Sequence, residues 1–278
     1  MQPTALIEIE KVSKTYVRNH TLTYAIEDIS FAVPPGEVVA IVGPSGSGKS
    51  TLLNMIAGLL DPTDGEVRYA GAPVSGVNTK VGYMTQHDTL LPWRTTLANA
   101  RVPLEIQNVP RKEADERAMK ALRDVGLESF AKHYPMQLSG GMRKRVQLAR
   151  TVVYNPQTLL MDEPFGALDA ILRVNLQQDF LRLLATRENP LTVVLVTHDL
   201  EEAVTMSDQV IVLSGSPARV SHVERIRDIR EAALSVGVVE ARRMPEFANY
   251  VNLLWHELHL GSDVPAGESP DVHEEAKR

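Results

Sequence analysis

The sequence contains no cysteine, which excludes a disulfide scaffold, a cysteine nucleophile and a zinc site built on thiolates. It also lacks an excess of positive charge: 35 acidic residues against 29 basic ones give a net charge of −6, which disfavours a general nucleic-acid binder. No apolar run approaches the roughly 18 residues that a membrane span needs, and the longest aliphatic stretch near the start is only Val38 to Val42. Any work at a membrane is therefore expected from its surface or through a partner.

Hydrophobic residues make up 44 % of the 278 residues, which is enough for a sizeable core and excludes disorder as the main state. Short apolar runs alternate with longer helical patterns, and this alternation predicts an α/β protein with a largely parallel sheet. Strands are expected at 6–12, 29–33, 37–42, 66–69, 81–84, 158–161, 192–197 and 209–213. The early strands are short and linked by turns, which indicates an antiparallel patch, whereas the later β-branched runs are typical of buried parallel strands.

Apolar residues at helical spacing predict helices at 49–60, 111–125 and 169–186. Residues 89–155 contain only helical patterns, so this block is expected to be a helical insertion. We divide the chain into a domain at 1–222, a helical extension at 223–260 and a disordered tail at 261–278, which is polar and has no apolar periodicity. The segment 245–260 should pack one helix face on the core, through Phe247, Tyr250, Val251, Leu254 and Leu258.

The pattern G-x-x-x-x-G-K-[ST] at residues 43–50 predicts a phosphate-binding loop, because an apolar strand precedes it and a helix follows it. Glycines let backbone N–H groups approach phosphate oxygens, and the helix adds its positive N-terminal end. Lys49 would neutralise the β- and γ-phosphates, and the Ser50 hydroxyl would ligate Mg²⁺. The expected nucleotide contacts are Gly43, Pro44, Ser45, Gly46, Ser47, Gly48, Lys49, Ser50 and Thr51. The alternative is a glycine-rich turn that matches by accident.

Two acidic residues end the apolar strand at 158–161. A carboxylate at the carboxyl end of a strand beside the phosphate loop lies where Mg²⁺ needs a partner, and Asp162 fits that role. Glu163, one residue on, can face the γ-phosphate and orient or deprotonate water. The alternative is a solvated strand end, which is the commoner explanation for such a pair without a phosphate loop.

Residues 138–142, Leu-Ser-Gly-Gly-Met, are similar to the LSGGQ signature of the ATP-binding-cassette ATPases. Further motifs of that family follow the same order: the Q-loop at Gln86, the D-loop at 167–169, the switch histidine at His198 and an adenine-stacking aromatic residue at Tyr16. The resemblance covers about residues 5–222. One departure is Met142, where glutamine is commonest. Without the other motifs, residues 138–142 would be interpreted as a simple helix N-cap at Ser139.

The resemblance implies a P-loop ATPase with a RecA-like core, an antiparallel β subdomain and a helical subdomain at about 89–155. It implies that two chains pair head to tail, so that ATP lies between the phosphate loop of one chain and Ser139, Gly140 and Gly141 of the other. Gln86 would join Ser50 in coordinating Mg²⁺, with Asp162 in support. Glu163 would be the general base, and His198 would contact the γ-phosphate.

Residues 87–95 resemble the LLPWRT segment of the nitrate, sulfonate and taurine importer group. This implies an importer ATPase at the cytoplasmic face of the inner membrane, bound to a separate permease and served by a periplasmic or lipoprotein solute-binding protein. Trp93 with Leu90 to Pro92 would form an apolar patch for docking the permease; the alternative is that Trp93 packs inside the helical block. An export ATPase and a soluble mechanical ATPase stay open, as does the solute: nitrate, a sulfonate, taurine or a pyrimidine precursor.

Two further groups of residues are interpreted without a functional role. The basic triplet at 143–145 is expected to be a solvated helix face, not a nucleic-acid contact, given the acidic total. His256 and His259 are three residues apart and do not match the H-E-x-x-H zinc pattern, so a surface pair is expected.

Overall fold

A computed structural model describes residues 5–18, 21–166, 168–187 and 189–260 of the chain. Its strands are β1 Ile7–Arg18, β2 Thr21–Val33, β3 Val38–Val42, β4 Asp64–Tyr69, β5 Ala72–Pro73, β6 Val81–Met84, β7 Thr158–Asp162, β8 Thr192–Thr197, β9 Gln209–Ser214 and β10 Arg219–Arg225. They form a four-stranded sheet in the order β2-β1-β4-β5 and a six-stranded sheet in the order β10-β9-β3-β8-β7-β6. The first sheet is antiparallel, as predicted for the early strands.

The six-stranded sheet is the centre of the molecule. Strands β6, β7, β8, β3 and β9 run parallel, and β10 is added antiparallel at one edge. Every residue of β3 is buried, because alternate side chains enter opposite cores: Val39 and Ile41 face the core shared with the antiparallel sheet, and Val38 and Ala40 face the core built with most of the helices. The predicted largely parallel α/β sheet is confirmed.

All eight predicted strands are present, but the first two are longer than predicted and β5 and β10 were not predicted. The β1–β2 ladder continues from Lys14↔Ile26 to Arg18↔Thr21 as a hairpin that leaves the core. Its outer residues are mostly exposed, so they carry no alternation of apolar and polar residues.

The helices are α1 Lys49–Ile56, α2 Thr96–Ile106, α3 Arg111–Asp124, α4 Gly140–Val152, α5 Ala170–Ala185, α6 Leu200–Met206, α7 Arg227–Val236, α8 Val238–Ala241 and α9 Pro245–Leu260, with 3-10 turns at Glu128–Phe130 and Pro135–Gln137. The predicted helix at 49–60 ends at Ile56, because the chain turns at Gly58, where φ is +68°. Residues 89–155 are all described and contain no strand, which confirms the helical insertion.

The C-terminal helices pack back on the parallel sheet. Phe247 and Leu254 of α9 are buried, and Tyr250, Val251 and Leu258 lie against the same core, as predicted. The carboxylate of Asp208, which is 1 % exposed, accepts from the Val38 amide (2.8 Å) and pairs with Arg230 of α7 (2.7 Å), so the extension is tied to the central sheet. The proposed boundary at residue 222 falls inside β10. The proposed tail, 261–278, lies outside the described residues.

Candidate functional site

The phosphate loop, residues 43–50, joins β3 to α1 at the carboxyl end of the parallel sheet. Gly46 and Gly48 have φ of +82° and +80°, a backbone conformation that residues with a Cβ rarely adopt. A Cβ on Gly48 would lie 2.3 Å from Cγ2 of Ile26, a residue of the antiparallel sheet. Ile26 also bridges to Ala218 beside the central sheet, so the two sheets meet behind this loop.

Lys49 closes the loop on itself. Its Nζ donates to the carbonyl oxygens of Gly43 (2.8 Å) and Pro44 (2.7 Å), and the residue is 6 % exposed. Burial lowers the pKa of Lys49, while the negative charges of Glu163 and Asp162 oppose that shift. The ammonium group is thus held at the inner wall of the loop, beside both acidic residues.

Asp162 is the last residue of β7, and its side chain lies beside Ser50, the second residue of α1. Burial raises the pKa of Asp162, whereas a hydrogen bond with Ser50 and the charge of Lys49 lower it. A partly buried carboxylate beside a hydroxyl forms a set of hard oxygen ligands. The structure therefore brings Ser50, Lys49 and Asp162 together, as the sequence predicted.

The carboxylate of Glu163 lies between two polar side chains from distant parts of the chain. Its Oε2 accepts from Nε2 of Gln86 (2.9 Å), and its Oε1 lies 3.1 Å from Nδ1 of His198. The backbone of Glu163 has φ of +45°, which is unusual for a residue with a side chain and is characteristic of functional sites. Its amide donates to the carbonyl of Val196, which fixes this turn to β8 (2.9 Å).

Tyr16 lies on β1, on the side of the hairpin that faces the start of α1. Its hydroxyl is 3.5 Å from Oγ1 of Thr51, and its side chain is 40 % exposed, so the ring has a free face. Nζ of Lys14 lies 5.6 Å from the ring centroid. The antiparallel sheet thus brings an aromatic ring to the edge of the phosphate loop.

The signature segment begins helix α4. Oγ of Ser139 accepts from the amide of Met142 (3.3 Å), which is the N-cap predicted as the simple alternative. Gly141 packs directly on Leu172 of α5, and Gly140 is open. Among the described residues, no hydrogen bond or ion pair joins 139–141 to the phosphate loop of the same chain. The cap and an additional binding role are therefore compatible.

Helix α4 holds the segment after Gln86 through a row of side chains. Lys144 donates to the carbonyl of Gln86 (2.7 Å), Gln147 donates to that of His87 (3.0 Å) and Arg150 donates to that of Thr89 (2.8 Å). These contacts could not be predicted from the sequence, because nothing in the local pattern specifies partners some 60 residues away. Helix α4 and the start of the helical insertion are thereby one unit.

The interpretation of the basic triplet as a solvated face was wrong. Lys144 is 8 % exposed, and burial lowers its pKa. Arg143 pairs with Asp88 (2.8 Å), and Arg145 pairs with Asp179 of α5 (2.7 Å). All three cations therefore bind groups of this chain: Arg143 and Arg145 form ion pairs, and Lys144 donates to the carbonyl of Gln86.

Of the D-loop residues, Ala167 lies outside the described residues. Asp169 caps α5, since its Oδ1 accepts from the amide of Leu172 (2.9 Å). Arg173, which the sequence analysis did not single out, donates to the carbonyl of Leu168 (3.2 Å) and to the carboxylate of Asp199 (2.8 Å). It therefore links the D-loop to the residue after the switch histidine.

The segment 90–93 is divided between core and surface. Trp93 is 71 % exposed, which excludes the alternative that it packs inside the helical block. Leu90 is buried, Leu91 is half-buried and Pro92 is exposed, so the predicted patch is partly exposed and reaches the surface at residues 91–93. Asn99 holds the turn, with its amide nitrogen donating to the carbonyls of Leu91 and Arg94. A rigid turn thus presents the indole to solvent.

His256 and His259 lie on the exposed part of α9, where His259 stacks on the ring of Trp255, with centroids 3.9 Å apart. Within the described ranges, no group of three or more histidine, aspartate or glutamate side chains is arranged to hold a metal ion. In the same part of the chain, no helix is long and apolar enough to cross a membrane.

The fold and this site define an ATP-binding cassette. Residues 26–166 match the family described as ABC transporter, and the chain belongs to that family. It is 43 % identical to a taurine import ATP-binding protein, TauB, of Pseudomonas entomophila. The 223 aligned residues are 80 % of this chain and 84 % of that one. It is 50 % identical to an aliphatic sulfonates import ATP-binding protein, SsuB 1, of Rhodococcus jostii. The 192 aligned residues are 69 % of this chain and 74 % of that one.

The solved structures lead to the same class. The fold is similar to the dimeric ABC transporter cassette MJ0796, with a TM-score of 0.71 and 35 % identity over 80 % of this chain and 99 % of that one. It is also similar to a dimeric post-hydrolysis state of that cassette bound to ADP and Pi, with a TM-score of 0.69 and 34 % identity over the same shares. The protein is thus an ABC-type ATPase with the predicted α/β fold.

Proposed function

We propose that this chain is the ATP-hydrolysing subunit of a membrane importer and that it works as a head-to-tail dimer on a separate permease. The observation that carries the hydrolytic part is the placement of Glu163 between Gln86 and His198, beside the phosphate loop. The names of the similar import proteins support the transport part.

In the proposed reaction Glu163 orients and deprotonates the attacking water. Both of its oxygens are held, one by Gln86 and the other by His198, so the carboxylate needs little reorganisation to accept a proton. His198 would also reach the γ-phosphate. Lys49 would exchange its bonds to the loop carbonyls for phosphate oxygens, where its charge offsets the charge of the transferred group.

The residues present fit a magnesium ion. Ser50, Gln86 and Asp162 offer a hydroxyl, an amide oxygen and one carboxylate, and Mg²⁺ is commonly bound by one or two carboxylates together with substrate phosphates and water. When bound, the ion would neutralise charge on the β- and γ-phosphates. The partly buried Asp162 would also gain a counter-ion for its charged form.

The dimer gives the signature its proposed role. Within the described residues, Ser139, Gly140 and Gly141 make no hydrogen bond or ion pair to their own phosphate loop. They begin a 13-residue helix whose positive end suits an anion. They would bind the nucleotide held by the other chain, as the dimeric arrangement of the similar cassette supports. Tyr16 would stack on the adenine from the exposed side of its ring.

The permease would dock at the surface around Trp93, which follows the segment that α4 holds beside Gln86. The chain would then lie peripherally at the cytoplasmic face of the inner membrane, and a periplasmic or lipoprotein solute-binding protein would deliver the solute to the permease. From the relatives' names we infer a small sulfonate, such as taurine, among the anionic or polar solutes that the sequence left open.

The test is a pull-down of the tagged full-length chain from native membranes in mild detergent, with identification of partners by mass spectrometry. We expect a multi-span protein, and ATP hydrolysis by the reconstituted complex should rise when the solute-binding protein carries taurine but not when it carries sulfate. A partner set of soluble proteins or nucleic acid would overturn the transport proposal. Stimulation by nitrate instead of taurine would overturn only the sulfonate assignment.

A further inference from the structure

Arg173 connects two backbone segments that meet at Glu163. Its Nη2 donates to the carbonyl of Leu168, five residues after Glu163, and its Nη1 donates to Oδ2 of Asp199. The guanidinium and the carboxylate are only about a quarter exposed, with side-chain exposures of 28 % and 26 %. A charge-assisted bond at this burial is stronger and more directional than a bond at the surface.

Asp199 transmits the position of Arg173 to the switch histidine. It follows His198 directly, its amide donates to Oγ1 of Thr197 (3.0 Å), and its Oδ1 accepts from the amide of Glu202 at the start of α6 (3.1 Å). The free oxygen of that capping carboxylate is the one that Arg173 binds. The residue after His198 is therefore fixed from α5 as well as from α6, the helix that it caps.

The same turn of α5 also contacts the signature. Leu172, the residue before Arg173, packs on Gly141. One helical turn thus lies between the segment that binds nucleotide in one site of the proposed dimer and the histidine that acts in the other site.

We propose that Arg173 is a positioning residue for hydrolysis. By holding Asp199 it keeps His198 against Glu163. It also fixes the position of the switch histidine relative to the turn of α5 on which the signature packs. This inference rests on the proposed role of His198. Arg173 need not touch ATP, so its removal should slow turnover without weakening nucleotide binding.

The chain offers a matched control. Arg242 also joins α5 to α6, since it donates to Gln177 (3.0 Å), Thr205 (3.1 Å) and Glu201 (3.1 Å), but not to Asp199. Both Arg173→Gln and Arg242→Gln remove an arginine that bridges the same two helices. Only the first removes the contact beside His198. A loss of turnover that arises from looser helix packing alone would therefore occur in both variants.

The experiment measures ATP hydrolysis and ATP binding for Arg173→Gln, Arg173→Lys, Arg242→Gln, His198→Ala and the double variant of residues 173 and 198. We expect Arg173→Gln to lower kcat roughly 10- to 100-fold, the range typical of residues that orient metal ligands through a hydrogen bond, with KM for ATP within about twofold. Arg173→Lys keeps the charge with fewer donors and should fall between wild type and Arg173→Gln. Arg242→Gln should keep the wild-type kcat.

The double variant decides the route of the effect. If Arg173 acts through His198, the double variant should be no slower than His198→Ala alone. Losses that multiply, or equal losses for Arg173→Gln and Arg242→Gln, would overturn the inference while leaving the proposed function intact. Normal turnover by His198→Ala would overturn the proposed role of that histidine, and the inference with it.

Discussion

Leu172 packs so closely on Gly141 that a Cβ on residue 141 would lie 2.4 Å from Cδ2 of Leu172. Gly141→Ala must therefore displace the Leu172 side chain or shift α4 away from α5, and overpacking of this kind costs about 1–3 kcal/mol of unfolding free energy. The neighbouring Gly140 is the control, because its Cβ would meet nothing closer than Nη2 of Arg143 at 4.0 Å. Urea denaturation should show a large loss for Gly141→Ala and almost none for Gly140→Ala; equal stabilities would contradict the packing argument.

Glu163→Gln should bind ATP normally and hydrolyse it at least about 100-fold more slowly. Glutamine can keep the contacts with Gln86 and His198 but cannot accept the proton, and general bases contribute roughly 10²- to 10⁴-fold. The stalled protein should elute as a dimer in the presence of ATP and Mg²⁺. Glu246→Gln, an exposed change on α9, serves as control. Rapid turnover by Glu163→Gln would remove this residue from its proposed role.

Trp93→Ala should reduce co-purification with the membrane partner and leave the fold intact. The side chain is 71 % exposed, and surface substitutions of this kind change stability by only about 0.5 kcal/mol. The matched control is Trp255→Ala on α9, the other tryptophan, which is 56 % exposed. Unchanged binding and transport in Trp93→Ala would contradict the docking proposal, as would equal losses in both variants.

Glu202 predicts a pH dependence of stability. Burial raises its pKa to about 8, with a smaller effect of Asp199 in the same direction. The folded chain thus keeps a proton that the unfolded chain releases near pH 4.5, so unfolding free energy should fall as the pH rises from about 4.5 to 8. The limiting slope is about 1.4 kcal/mol per pH unit.

Glu202→Gln removes this titration. In urea denaturation, the unfolding free energy of the variant minus that of wild type should therefore rise by about 2 kcal/mol between pH 5.5 and 7.5. Glu201→Gln is the control, because that neighbour on α6 is exposed and should keep the wild-type pH slope. Parallel pH profiles for wild type and Glu202→Gln would show that Glu202 is ionised in the folded protein.

The sequence alone was sufficient for the parts of the fold whose cause is local. The parallel strands are continuous apolar runs, and the phosphate loop needs glycine where φ is positive, so both leave a pattern along the chain. The same holds for α9, where Phe247 and Leu254 recur at helical spacing and are buried. The sequence also supplied Gln86 and His198, but only through a family resemblance.

The contacts that arise between distant segments could not be predicted. Lys144 and Arg173 are ordinary helix residues by spacing, and only the fold brings them to the carbonyl of Gln86 and to Asp199. β10 alternates between exposed and half-buried residues, yet polar side chains fill most of its positions, so its apolar periodicity is weak. The basic triplet at 143–145 was predicted to be solvated for the first of these reasons: Lys144 is buried by a contact with a distant segment.

The helical insertion lengthens a single connection between two strands of the central sheet. β6 and β7 are adjacent parallel strands, and the whole insertion lies on the connection between Met84 and Thr158. An ordinary crossover needs about a dozen residues. Because closure entropy grows only with the logarithm of loop length, extending it to roughly 70 residues costs about 1–2 kcal/mol. A folded subdomain can therefore be carried inside a single connection of the sheet at little thermodynamic cost, without disturbing the strand order on either side.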